Sequence, residues 1–261
     1  MPSDVPDRAL TSRPAKRSLP ASDVREFRES LDRFQGARDV QSRRWADAKW
    51  GVYAFYDYDG EPIYVGQTNE QLRTRIRRHL TNQRTDAVAM RILDVFEVAE
   101  VEIWPLWELQ STRGGDAEAK QLLNSLEYSV YLTAIEKSRF HAILNEKIPP
   151  VSPRVEVPSS LRWQLVDAKM RQERGHPDIR LARRAETIAR LAAVSRERGE
   201  VTAGLRRVLV IQAVRLAYIA AARLSEAEGR QLPSPSAIDM DALVGNVLAE
   251  SDDSDLDEEG L

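Results

Sequence analysis

The hydrophobic pattern along the chain changes period several times, and each change predicts an element. Residues 50–56 and 63–66 are short runs rich in β-branched and aromatic side chains, which predicts two strands. Asp57-Tyr58-Asp59-Gly60 between them has turn chemistry. Residues 101–107 alternate and predict a third strand, with Pro105 marking an edge or an irregular end. Elsewhere the period is helical. Phe27, Leu31 and Phe34 predict a helix that Asp23 and Glu26 open. Thr68 and Gln71 form a capping-box pair before a second helix, whose inward stripe is Leu72, Ile76 and Leu80. Residues 87–99 read as a short helix. Residues 117–135 read as a strong one, with Leu123, Leu126, Val130 and Ala134 as its apolar face. Further on, helices are expected over 161–172, 179–198 and 205–227. Asp178 and Thr202 are their candidate N-caps, and Gly199 and Gly229 their stops. Ser236 and Asp239 offer caps for a last short helix.

Pro149 and Pro150 mark a boundary. The chain divides into an N-terminal arm and helix (1–46), an α/β unit (47–150), a basic helical region (151–230), and a short helix with an acidic disordered tail (231–261). The first 20 residues, rich in Pro, Ser and Arg, read as a disordered arm.

Charge sharpens this division. The net charge is −3, but it is unevenly spread. Residues 231–261 hold nine acids and no Lys or Arg, whereas residues 151–230 hold sixteen Lys and Arg against nine acids. The acidic tail masks a basic body, which keeps a nucleic-acid partner open. The chain has no cysteine, so disulfides and thiolate metal sites are excluded. The N-terminus has no apolar signal core, and the most apolar stretch, 208–224, is broken by Arg215 and Arg223. The expectation is a cytoplasmic protein with no membrane span.

The candidate chemistry lies around the two tyrosine-bearing strands. On a helical wheel, Arg75 and His79 share one border of the stripe that faces the strands. Arg73, Arg77 and Arg78 point elsewhere, toward solvent or a ligand. Glu127 sits inside the apolar arc of its helix, where a carboxylate needs a hydrogen-bonding partner or a cation: a metal ion, or Arg75 in an ion pair. With Tyr53, Tyr64 and Asn145, these residues suit metal-assisted phosphodiester hydrolysis. A hard cation such as Mg²⁺ takes oxygen ligands and needs few protein carboxylates, and Arg75 supplies a bidentate cation for the same phosphate. A tyrosine becomes a useful base only when nearby cations stabilise its phenolate. His141 and His176 have no partners in the pattern.

Gly51-Val52-Tyr53 and Tyr64-Val65-Gly66 resemble the two signatures of the GIY-YIG nuclease family, with valine in place of isoleucine in both. The resemblance covers about 50–150. It implies an α/β (α+β) fold: a small three-stranded antiparallel sheet flanked by helices, here with N-terminal and C-terminal helical extensions. It implies one divalent metal, Mg²⁺ with Mn²⁺ as a substitute, held by Glu127. Tyr53 matches the tyrosine that resembles a general base in restriction-type members. Tyr64, Arg75, His79 and Asn145 match the remaining catalytic positions. Tyr64-Val65-Gly66-Gln67-Thr68, Arg75-x-x-x-His79 and Ile143-Leu144-Asn145-Glu146-Lys147 are closest to the type II restriction endonucleases of the family. That branch implies a homodimer cutting both strands of double-stranded DNA, paired with a DNA methyltransferase in a restriction-modification system. Arg73, Arg77, Arg78 and the basic helices after Val151 are then the candidate DNA-phosphate contacts.

Overall fold

In the computed structural model, which describes residues 21–81, 92 and 94–250, four antiparallel strands form one sheet. They are β1 (Gly51–Tyr56), β2 (Pro62–Thr68), β3 (Glu100–Pro105) and β4 (Leu161–Gln164), in the order β2-β1-β3-β4. Around them lie α1 (Ser22–Gly36), α2 (Leu72–Thr81), α3 (Ala117–Lys137), α4 (Ala168–Arg174), α5 (Pro177–Arg198), α6 (Ala203–Ala227) and α7 (Met240–Val244). The fold is α+β, as expected. Every residue of β1 is buried, because helices cover both faces of this inner strand. The β1–β2 turn closes through Asp57, whose carboxylate accepts from the backbone N–H groups of Asp59 and Glu61. Gly60 supplies the positive φ of 73° that the turn requires.

The sheet has a fourth strand that the helical reading of 161–172 conceals. Leu161 and Trp163 alternate with Arg162 and Gln164, so the local period is two, not 3.6. Trp163 lies opposite Val101 and packs on Phe34, with ring centroids 6.5 Å apart. Arg162 pairs with Glu100 at 2.8 Å and lies over the Tyr56 ring. Asp167 then caps α4 by accepting from the Met170 N–H. β3 is therefore an inner strand. Pro105 ends it beyond the reach of β4, which pairs only with Glu100–Ile103.

Several predicted boundaries also move. Thr68 ends β2 and accepts from the Glu70 N–H, so Thr68 and Gln71 form no capping box and α2 starts at Leu72. His176, not Asp178, caps α5: its Nδ1 accepts from the Asp178 N–H. Ala21 is the N-cap of α1 and provides no side-chain bond. Of the expected helix over 87–99, residues 87–91 and 93 lie outside the described residues. Its described end is a 3₁₀ turn, Val95–Glu97, capped by Asp94. Thr202, Gly199 and Asp239 act where the sequence places them. The arm over 1–20 and the tail beyond Glu250 also lie outside the described residues.

Buried ion pairs latch the C-terminal helices onto the sheet. On α5, Arg180 reaches Asp57 at 2.8 Å, Asp59 at 2.8 Å and Glu97 at 3.3 Å. Arg184 meets Asp57 and Glu97, and Arg183 meets Glu97. Burial raises the Glu97 pKa against the pull of these three arginines. On α6, fully buried Arg215 donates to Glu61, the Pro62 carbonyl and the Ala142 carbonyl. Burial lowers its pKa to about 10, opposed by Glu61. By length and composition α6 could cross a membrane. One side of it packs on α5, with Leu205, Val208, Ile211 and the Arg215 ion pair buried.

Candidate active site

Strand register brings the two tyrosines together. Tyr53 on β1 lies opposite Gly66 on β2, and Phe55 lies opposite Tyr64. Alternation then puts Tyr53, Phe55, Tyr64 and Gly66 on one face of the sheet. The rings pack closely, with centroids 6.1 Å apart for Tyr53 and Tyr64 and 6.0 Å for Phe55 and Tyr64. Gly66 is what lets Tyr53 lie across β2. A Cβ at this position would stand 2.6 Å from the Tyr53 hydroxyl and 2.9 Å from the Tyr64 ring. Gly51 faces a similar limit, since its Cβ would stand 2.7 Å from the Trp104 carbonyl oxygen.

α2 closes over this face. Leu72, Ile76 and Leu80 are buried, which turns the border residues Arg75 and His79 toward the tyrosines. Tyr53 Oη lies 2.9 Å from His79 Nε2 and accepts from Arg75 Nε at 3.3 Å. The His79 ring packs 5.7 Å from that of Tyr64. Burial holds both phenols above the usual tyrosine range. The neighbouring phenol adds to the effect at Tyr53, and the Arg75 guanidinium opposes it at both. With protein groups alone the tyrosines are therefore protonated at neutral pH.

Glu127 enters from α3, where it is 8% exposed among Leu123, Leu126 and Val130. Burial pushes its carboxyl up to about 7, against Arg75 and the Gln67 backbone N–H, which pull it down. The Gln67 side chain donates to Asn124 Oδ1 at 2.8 Å, while its own Oε1 is buried without a partner among the described residues. A carboxylate held near neutrality and an orphaned amide oxygen on adjoining residues are the donors a hard divalent cation accepts. A cavity of about 370 Å³ opens beside them, lined by Gln67, Asn69, Arg75, Lys120 and Asn124 among others.

Residues 49–120 match the GIY-YIG catalytic domain. That segment carries Tyr53, Tyr64, Arg75 and His79, while Glu127 and Asn145 lie beyond it. A GIY-YIG catalytic domain is a nuclease domain. No curated protein and no solved structure matches the chain.

Of the residues singled out from sequence, the structure brings Tyr53, Tyr64, Arg75 and His79 into contact and places Glu127 within electrostatic reach of Arg75. Asn145 does something more local. Its Oδ1 accepts from the Val65 N–H at 3.0 Å and its Nδ2 donates to the Val65 carbonyl at 2.8 Å. Its amide stands in for a neighbouring strand and fixes β2 between Tyr64 and Gly66. The outer arginines of α2 each face a carboxylate: Arg73 with Asp47, Arg77 with Asp32, and Arg78 with both oxygens of Glu70. Gln67, Lys120 and Asn124 were not singled out as site residues. The signal for the two on α3 is the spacing Lys120–Asn124–Glu127, which puts three polar groups on one side of a largely apolar helix.

Proposed function

We propose that the protein is a divalent-metal-dependent endonuclease that cuts double-stranded DNA at specific sites, in the manner of a type II restriction enzyme. The observation carrying the reading is the Tyr53 hydroxyl, which contacts both Arg75 and His79, with Glu127 within electrostatic reach of Arg75. Its oxygen accepts from Arg75, an obligate donor, and its other hydrogen bond meets a nitrogen able to take a proton. Water attacking the scissile phosphorus gives its proton to Tyr53, and Tyr53 passes its own to His79 Nε2. Arg75 offsets the charge that grows on the phosphate oxygens. Tyr64 orients the water or phosphate, and Asn145 holds the β2 backbone that carries Tyr64.

Glu127 would hold one Mg²⁺, or Mn²⁺ in its place, with water and phosphate oxygens completing the shell. When bound, the ion supplies charge that lowers the barrier to phosphodiester cleavage and stabilises a phenolate.

The restriction-type reading rests on the Tyr64–Thr68, Arg75–His79 and Ile143–Lys147 stretches, and with it come a homodimer and a companion methyltransferase. Digestion of a plasmid in Mg²⁺, followed by sequencing of the ends, tests it. Discrete double-strand fragments sharing one end sequence are expected. Nicked circles alone, or cutting confined to branched DNA, would replace restriction with a strand-nicking nuclease.

A further inference from the structure

Arg73, Arg77 and Arg78 on the α2 outer face have carboxylate partners, but among the described residues the basic groups on the other side of the site do not. Lys120 lines the 370 Å³ cavity together with Arg75 and Asn124, and among the described residues no ion pair engages it. Glu70, the one acid among the described residues that line the cavity, is held by Arg78 through two bonds, at 2.9 and 3.0 Å. The cavity is therefore net positive.

Its rim continues the same way. Asn69 donates to the Gly114 carbonyl, which fixes the loop carrying Arg113 against the cavity mouth. Gln110, on the same loop, accepts from the Lys49 N–H. Lys49 and Arg113 are exposed and likewise have no carboxylate partner among the described residues. Lys120 also precedes Glu127 by seven residues on the same helix, two turns or about 10 Å along its axis. A group held at Lys120 therefore lies beside the proposed metal carboxylate, close to the reacting phosphate but separate from it.

We propose that Lys120, with the Asn124 amide, binds a second phosphodiester of the strand being cut, one neighbouring the scissile position. The strand's backbone then runs along the Lys120 and Arg113 side of the cavity, not over the outer face of α2. This assignment rests on the nuclease reading. It makes Lys120 a positioning residue that fixes the register of the strand over Arg75 and Glu127.

The test is the salt dependence of binding to a short duplex, measured in a Glu127→Gln background so that no cutting intervenes. Each phosphate contact contributes about 0.9 to the slope of log K against log salt. Lys120→Ala is expected to lower the slope by about one contact, and Lys120→Arg to restore it. Arg28→Ala, which removes an equal charge from an exposed position on α1, is expected to leave it unchanged. In cutting-competent protein, Lys120→Ala should raise KM about tenfold with little change in kcat. Equal slopes for Lys120→Ala and Arg28→Ala would overturn the assignment while leaving the nuclease reading intact. Absence of any salt-dependent duplex binding by the parent protein would instead overturn the nuclease reading, and this inference with it.

Discussion

Tyr53 and Gly66 show how closely the site is built at the level of single atoms. The glycine of the second signature is required by its neighbour across the ladder, because the Tyr53 hydroxyl occupies the place of a Cβ. Gly66→Ala forces Tyr53 away from Arg75 and His79. The expected outcome is a fall in cleavage rate of about a hundredfold, with the protein still folded by circular dichroism. Glu127 carries the second residue-scale prediction. Its pKa is raised from 4.5 to about 7 by burial. As pH rises from about 4.5 to 7 the unfolded chain loses this proton before the folded one, so stability falls through that window and then levels off. Glu127→Gln removes the penalty. It should leave stability unchanged near pH 4 and raise it by up to about 3 kcal/mol above pH 7, as read by urea unfolding at both pH values. An equal effect at both pH values would refute the buried-carboxylate account. The sequence made the tyrosines, Arg75, His79 and Glu127 legible because each sits on a clear stripe or signature. Gln67 and Asn124 escaped because an uncharged amide reads as ordinary surface: Gln67 lies on a short strand, and Asn124 stands out only once its spacing to Lys120 and Glu127 is noticed.

At the scale of elements, β2 depends on a residue 80 positions away. The Asn145 amide satisfies both the N–H and the carbonyl of Val65. Asn145→Ala leaves two buried backbone groups unpaired, and the expected cost is about 2–4 kcal/mol. Thermal unfolding should show the loss, and kcat should fall with it because Tyr64 is displaced. A variant with unchanged stability but no activity would instead give Asn145 a direct place at the phosphate. Long periodic elements such as α2, α3, α5 and α6 were legible within a few residues. β4 was not. Four residues give a period of two little room to register, and only pairing with the exposed edge of β3 makes Leu161–Gln164 a strand. The cap of α5 was missed because it comes from His176, a residue not usually counted among N-caps.

For the whole molecule, the excess of arginine over 151–230 is legible as charge but not as purpose. Arg180, Arg184 and Arg215 are buried and close ion pairs with the β1–β2 turn and its flanks, so they cannot also meet phosphate. These pairs latch the helices to the sheet. Arg180→Met leaves Asp57 and Glu97 under-compensated, and an unfolding free energy lower by about 3–5 kcal/mol is expected. Denaturant titration checks this, and a change under 1 kcal/mol would mean the latch does not hold the sheet. The central claim remains that Tyr53, Arg75, His79 and Glu127 form one metal-dependent hydrolytic site. The direct measurement is cleavage of supercoiled plasmid in Mg²⁺ by the native protein and by Glu127→Gln, each with and without a chelator. The native protein should cut only without the chelator. The Glu127→Gln variant, although at least as stable, should be slower by roughly a hundredfold or more. Equal rates for the two proteins in Mg²⁺, or no cutting by the native one, would contradict the account.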